Sequence, residues 1–174
     1  PGEITYGSPG VGTGTHLGAE LFAVRAGIKI RGVSYRGSPE AITDVIAGRV
    51  SFIISPSSAV MGHVQGGRLV ALATAGAKRA SVAPNLPTMM ESGVPDFDIS
   101  TWFGLMAPAG TNKSVVSTLA KAVNAALNSD QVKSGFKKQG FDTLGGSPEE
   151  FAKFLDRELK NWAAAAEAAG VRVR

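Results

Sequence analysis

Short apolar runs alternate with stretches of helical periodicity through the first 75 residues of the chain. Runs of strand length, bounded by glycine, proline or serine, predict strands at residues 4–8, 28–35, 50–54 and 69–75. The run at 50–54 is almost continuously apolar, as expected for a strand in a parallel sheet that is buried on both faces. Because predicted strands and helices alternate, the sequence predicts an α/β layer with a mainly parallel sheet.

Helix boundary signals lie between these predicted strands. The helix that follows the first strand should end at Gly27, a residue type common just after helix ends. A second helix should begin with Ser38 as N-cap and Pro39 as its first residue. A short third helix, capped by Ser57 or Ser58, should follow the third strand.

The pattern changes between residues 77 and 98, where three prolines interrupt a segment in which only residues 88–92 look helical. Ser147 and Glu150 have capping-box spacing, so they should mark the start of a long last helix. The elements predicted beyond this segment are a strand at 99–106, helices at 114–127 and 131–138, a strand at 141–144 and a helix at 148–169. The sequence thus predicts two unequal parts, residues 1–98 and 99–174.

Composition narrows the possible functions. The chain has no cysteine, which excludes disulfides, thiolate metal sites and a cysteine nucleophile. No apolar run approaches the ~20 residues of a membrane helix. The net charge is +4, but the 18 Lys and Arg residues are scattered without interleaved aromatics, so we predict no nucleic-acid partner. The chain starts at Pro1 rather than Met, which indicates a removed start or part of a longer protein.

The strand-to-helix turn at residues 8–16 is the most informative local feature. Its glycines let consecutive backbone N–H groups be exposed, and the helix that follows adds a partial positive charge. Such a turn can hold a carboxylate or a phosphate, although a tight connection that binds nothing has the same pattern. The candidate ligand-binding residues in this turn are Ser8, Gly10, Val11, Gly12, Thr13 and His16.

Known catalytic motifs do not fit the same turn. Its glycines fall at 10, 12 and 14, whereas a dinucleotide fingerprint needs glycine at the first, third and sixth positions. A nucleophile elbow centred on Ser8 would require glycine at Tyr6. The two histidines, His16 and His63, have no acidic cluster at metal-ligand spacing. We therefore predict a binding protein with no catalytic residue, no cofactor and no metal, and His63 as a surface or packing residue.

Two further candidates should lie at the same edge of the predicted sheet. Tyr35, Arg36 and Gly37 end the second strand, and Ser55 follows the third. Ligands of open α/β sheets bind outside the carboxyl ends of the strands, where these residues would meet the turn at 8–16. Arg36 would pair with an anion or remain solvated. The sequence leaves open whether Trp102 packs in a core or lines a cleft.

These motifs, in this order and over essentially the whole chain, resemble the periplasmic receptors of the tripartite tricarboxylate transporter family, also called the Bordetella uptake gene family. Each motif is weak alone, and their combined spacing is specific. They are Ile-Thr-Tyr-Gly-Ser at 4–8, Gly-Val-Gly-Thr at 10–13, His-Leu at 16–17, Tyr-Arg-Gly-Ser at 35–38, Leu-Val-Ala-Leu-Ala at 69–73, Asn-Leu-Pro-Thr at 85–88, Glu-Ser-Gly-Val-Pro at 91–95, Trp-Phe-Gly-Leu at 102–105, Pro-Ala-Gly-Thr at 108–111 and Pro-Glu-Glu-Phe at 148–151.

The resemblance implies a two-lobed periplasmic-binding-protein fold of type II. Residues 1–98 would be the second lobe and 99–174 the C-terminal portion of the first. It also implies a di- or tricarboxylate, amino-dicarboxylate or aromatic carboxylate ligand, delivered in the periplasm to a membrane permease. The alternative is a receptor that signals to a membrane sensor protein.

The chain also departs from the family pattern. The first-lobe loop that holds a ligand carboxylate in the family would precede Pro1, so we expect weak ligand binding by this fragment. We also expect the fragment to self-associate, because the sheet of the first lobe would have an incomplete edge. Ser55 stands where the family often has an acidic residue, which leaves the preferred ligand open. Asn112 replaces the proline that often follows Pro-Ala-Gly-Thr.

Overall fold

A computed structural model describes residues 4–168 and 170–171. The first four elements follow the predicted order, and the later elements of the described residues are all helices. They are β1 (Thr5–Ser8), α1 (Gly14–Ala26), β2 (Arg31–Ser34), α2 (Ser38–Ile46), α3 (Ser57–Gln65), α4 (Lys113–Asn128), α5 (Asp130–Lys138) and α6 (Pro148–Ala168).

The sheet consists of β1 and β2, which pair in parallel with Thr5 opposite Arg31 and Ser8 opposite Ser34. A third segment joins it at one point, where Phe52 forms a parallel bridge with Tyr6. The mixed α/β fold with parallel pairing is therefore confirmed. The crossover from β1 to β2 runs through α1, as parallel pairing requires.

Several predicted helix ends are confirmed. Gly27 caps α1 in the left-handed region, with φ at 65°. At the start of α6, the Ser147 N–H donates to the Glu150 carboxylate at 2.7 Å and the Glu150 N–H donates to Ser147 Oγ at 3.1 Å. This is the predicted capping box. Asn112, which departs from the family pattern, accepts a hydrogen bond from the Ser114 N–H at 2.9 Å and so caps α4.

Other boundaries differ from the prediction by one residue. Gly37 is the N-cap of α2 and Ser38 its first residue, because the chain turns helical one position earlier than the proline signal suggested. Pro56 precedes α3, so Ser57 is helical and caps nothing. The segment at 88–92 forms turns instead of a helix. Residue 169, the predicted end of the last helix, lies outside the described residues.

Four of the predicted strands do not form continuous strands in the structure, so these predictions were wrong. They are residues 50–54, 69–75, 99–106 and 141–144. The first two form only isolated bridges, at Phe52 and at Thr74, which pairs with Thr88. Val70 and Leu72 are 83% and 73% exposed, and Phe103 is 79% exposed. A strand needs a neighbour for its backbone groups. Residues 50–54 lie beside β1 and bridge it at Phe52. Within the part of the chain that the structure describes, no strand lies beside the other three segments.

One hydrophobic cluster joins the two halves of the chain. Its buried members are Leu21 of α1, Val94 and Phe97 of the proline-interrupted segment, and Ala165 of α6. Trp102 packs edge-on against the rings of Phe151 and Phe154 in α6, and its Nε1–H donates to the buried Glu158 carboxylate at 3.1 Å. Trp102 is therefore a packing residue. The division of the chain at residue 98 stays a prediction.

No helix in the described ranges combines the length and apolar character needed to cross a membrane.

Candidate functional site

The carboxyl ends of β1, β2 and the Phe52 segment meet at one edge of the sheet. The N–H of Tyr35, just beyond β2, donates to the Ser8 carbonyl at the end of β1, at 2.8 Å. Because Phe52 pairs in parallel with β1, the chain leaves the sheet toward Ser55 at this same edge. The structure thus brings together three predicted pieces: the glycine-rich loop (residues 9–13), the Arg36 loop (residues 35–37) and Ser55.

Polar side chains of the predicted site hold the glycine-rich loop in shape. Ser8 Oγ donates to the Gly10 carbonyl at 2.9 Å, and Thr13 Oγ1 donates to the same oxygen at 2.8 Å. His16 Nδ1 accepts from the Gly12 N–H at 3.3 Å, and Thr13 Oγ1 accepts from the His16 N–H at 3.3 Å. Ser8 is almost fully buried. These side chains bond the loop backbone, and a direct ligand contact by them stays a prediction.

The backbone of the loop supplies hydrogen-bond donors at the start of α1. Gly10 and Gly12 have φ of 147° and 79°, which side chains rarely adopt, so glycine is required for this turn. Val11 between them is exposed. Among the described residues, no acceptor is bonded to the N–H of Gly14 or Thr15. Unpaired N–H groups at a helix start favour an anion such as a carboxylate.

A buried tyrosine lies beside His16, one of the residues that hold this loop in shape. Tyr6 is 1% exposed, and its ring centroid lies 6.3 Å from that of His16. The Tyr6 hydroxyl donates to a Glu20 carboxylate oxygen in α1. Burial, followed by the bond to Glu20, holds the pKa of Tyr6 well above its ordinary value. Glu20 was not among the residues predicted from the sequence, because its position in α1 indicates only an ordinary helical residue.

Tyr35 is bonded to α2. Its hydroxyl donates to Asp44 Oδ2 at 2.8 Å, and Asp44 also accepts from the Arg49 guanidinium at 2.6 Å. The Arg49 hydrogen bond, and then the one from Tyr35, hold the pKa of Asp44 below its usual range. Desolvation and the bond to Asp44 raise the pKa of Tyr35. The Tyr35 side chain therefore fixes the Arg36 loop to α2.

Arg36 and Ser55 keep polar groups available at the edge. Arg36 is exposed and forms no ion pair with the residues that the structure describes. Its N–H donates to Glu40 at 3.2 Å, and Gly37 continues in an extended conformation as the N-cap of α2. Ser55 Oγ is buried and has no partner in the described part of the chain. A buried hydroxyl without a partner costs free energy that a ligand atom can offset.

The arrangement does not present a nucleophile with a base. Ser8 Oγ bonds to Gly10 and His16 Nδ1 bonds to Gly12, so the two side chains do not bond to each other. A nucleophilic serine needs a base within hydrogen-bond reach. Within residues 4–168 and 170–171, no group of three or more His, Asp or Glu side chains is placed to hold a metal ion.

Two other features lie away from this edge. His63 Nδ1 in α3 is buried without a partner among the described residues, and the predicted packing role fits its position on the helix. An open cleft lies between α1 and α6, lined by Val24, Arg25 and Asn161 among others. Because Val24 and Arg25 are at the C-terminal end of α1, this cleft is separate from the glycine-rich loop at the other end.

One neighbour of the glycine-rich loop comes from the far end of the chain. The ring of Trp162 in α6 packs against Gly14, the first residue of α1. Trp162 was not predicted from the sequence to lie at the site, because nothing in its spacing indicates which helix it faces.

The model of the tripartite tricarboxylate transporter family receptors matches residues 1–171. The chain is 34% identical, over all 174 of its residues, to the protein BugT of Bordetella pertussis, and the match spans 53% of that protein. The chain therefore covers about half the length of this relative.

Solved structures show the same fold. Rpa4515 of R. palustris, solved with adipate, is 34% identical with a TM-score of 0.85, over 98% of this chain and 57% of that one. The periplasmic binding protein BugD is 27% identical with a TM-score of 0.79, over 99% of this chain and 58% of that one. These matches confirm a fold of the periplasmic-binding-protein kind over the whole chain. The family description as receptors also supports a binding protein over an enzyme.

Proposed function

The chain belongs to the tripartite tricarboxylate transporter receptor family, and from this membership we propose that it binds a small carboxylate outside the edge formed by the glycine-rich loop, the Arg36 loop and Ser55. The observation that carries the proposal is the convergence of these three pieces at one edge beside the unpaired N–H groups at the start of α1. The similarity to Rpa4515, which was solved with adipate, supports this class of ligand.

The chemistry assigns different roles to the site residues. The N–H groups of the glycine-rich loop and of Gly14 and Thr15 would donate to a ligand carboxylate, aided by the helix dipole. The Arg36 guanidinium would supply the positive charge for a carboxylate. The Ser55 hydroxyl would donate to another ligand oxygen. Ser8, Thr13 and His16 would preorganise the loop through the bonds they make to its backbone.

We place this binding step in the periplasm, followed by delivery of the ligand to a membrane permease of the transporter. The family description and the similarity to the periplasmic protein BugD support this assignment. A neutral glycine-rich loop with one exposed arginine suits a receptor that must release its ligand, because few charged contacts have to be broken.

Titration of the full-length gene product with adipate, citrate, glutamate and benzoate tests the proposal. A true ligand at a hundred times its dissociation constant should raise the apparent stability by about 2.7 kcal/mol. Arg36→Gln should weaken binding by about tenfold or more, because a hydrogen bond to a charged group is lost. Arg68→Gln is the matched control, since Arg68 is an exposed arginine beyond the C-terminal end of α3.

Absence of any stability increase with all four ligands would refute carboxylate binding. Equal losses for Arg36→Gln and Arg68→Gln would place the site elsewhere in the molecule.

A further inference from the structure

An indole ring of α6 lies against a glycine at the candidate site. A Cβ atom added to Gly14 would lie 3.2 Å from Cη2 of Trp162, 3.8 Å from Cζ3 and 3.9 Å from Cζ2. All three atoms belong to the six-membered ring at the far end of the indole. A side chain at position 14 would therefore crowd the ring, and one of the two would have to shift by a few tenths of an ångström.

Space, and not backbone conformation, explains the glycine at this position. Gly14 is the first residue of α1 and has no positive φ, unlike Gly10 and Gly12 in the preceding loop. Any residue could adopt its backbone angles, and alanine would favour the helix more. The contact with Trp162 is the feature of the structure that alanine would disturb.

Gly14 is directly linked to the hydrogen bonds of the glycine-rich loop. The preceding residue, Thr13, caps α1, donates to the Gly10 carbonyl and accepts from the His16 N–H. The Leu17 N–H donates to the Thr13 carbonyl at 2.9 Å, which closes the first turn. A shift of Gly14 would therefore move the N–H groups proposed to hold the ligand carboxylate.

The other side of Trp162 is fixed to the body of the chain. Trp162 packs against the cluster that contains Leu21, Phe97 and Ala165. One turn earlier, Glu158 of α6 accepts a hydrogen bond from Trp102 in the 99–106 segment. α6 thus connects the later part of the chain to the start of α1.

We propose that Trp162 is a positioning residue of the carboxylate site, whose indole ring braces Gly14 and fixes the glycine-rich loop against α6. This inference rests on the proposed function. According to this proposal, α6 affects ligand affinity through the glycine-rich loop and does not contact the ligand itself.

A double-mutant cycle between Gly14 and Trp162 tests the brace in the full-length gene product. Gly14→Ala should weaken adipate binding by about tenfold, because the added methyl displaces the ring or the helix start. Trp162→Phe retains an aromatic side chain in the cluster but removes the outer ring atoms that contact Gly14. In that background, Gly14→Ala should change affinity by no more than about twofold.

Gly135→Ala is the matched control, because Gly135 lies in α5 with nothing within 4 Å of an added Cβ. It should leave adipate affinity unchanged. Equal losses from Gly14→Ala in the two backgrounds would overturn the brace.

Hydrogen exchange without ligand separates this inference from the proposed function. The peptide that covers residues 10–16 should exchange faster in Trp162→Phe than in the parent, and not in Gly135→Ala, because the brace that stabilises the loop bonds is gone. Unchanged exchange in Trp162→Phe would overturn the brace whether or not a carboxylate binds. If the parent protein binds none of the four carboxylates but exchange responds as expected, the proposed function fails and the brace stands.

Discussion

The chain contains two regions whose sequences both predict strands and whose structures differ. In the paired region, β1, β2 and Phe52, each segment has a neighbour, and Tyr6 at its centre is fully buried. In the unpaired edges, residues 70–73 and 100–106, the same kind of apolar pattern leaves Val70, Leu72 and Phe103 in solvent. An apolar alternation specifies a side that should be buried, but only a partner strand provides the burial.

A substitution that crowds the paired region should cause the largest loss of folding stability. A Cβ atom at Gly32 in β2 would lie 2.8 Å from Cζ and Oη of the buried Tyr6. Gly32→Ala should therefore force Tyr6 out of position and lower the free energy of unfolding by about 1–3 kcal/mol. Denaturant unfolding measures the loss. The control is Gly62→Ala in α3, where an added Cβ meets nothing within 4 Å. A neutral Gly32→Ala would show that the paired region is loosely packed.

Removal of the Tyr6 hydroxyl should cause a smaller loss of folding stability, and this loss should depend on pH. Tyr6→Phe deletes the bond to Glu20 and should cost about 1–2 kcal/mol near neutral pH. The pKa of Tyr6 is raised in the folded chain. The folded chain therefore keeps the Tyr6 proton at alkaline pH values at which the unfolded chain has released it. The stabilisation is complete below the ordinary tyrosine pKa of about 10 and is lost as pH rises through the raised pKa.

Unfolding free energies of the parent and of Tyr6→Phe, compared from neutral to alkaline pH, provide this measurement. The difference between them should shrink at the alkaline end. The only other tyrosine, Tyr35, is present in both proteins. A difference that stays constant with pH would contradict the assigned cause of the raised pKa.

Substitutions at the unpaired edges should have the smallest effect on stability. Val70→Lys and Leu72→Lys each replace an exposed side chain and should change the unfolding free energy by less than about 0.5 kcal/mol. We expect the 174-residue chain to self-associate through these edges, because they expose apolar side chains beside unpaired backbone. Light scattering on the parent and on the double variant tests this, and the variant should be the more monomeric. A strictly monomeric parent would contradict the expectation.

Most helices were predictable because their signals are local. Gly27, and the Ser147–Glu150 box, act on neighbouring backbone groups and need no distant partner. The edge location of the glycine-rich loop, the Arg36 loop and Ser55 was also predictable, since parallel strands direct their carboxyl ends to one side. The ligand roles of these residues stay predictions.

The sequence by itself determined the alternation of elements, the glycines that the turn at residues 9–13 requires and the family to which the chain belongs. Only the tertiary structure decided that Ser8, Thr13 and His16 bond the loop backbone, that Tyr6 reaches Glu20, and that Trp162 lies on Gly14. It also decided which apolar runs became strands. Local patterns reflect backbone preferences within a few residues. The Tyr6–Glu20 and Trp162–Gly14 contacts join residues far apart in the chain, and the side-chain bonds of the loop depend on its folded backbone, so neither leaves a periodic trace in the sequence.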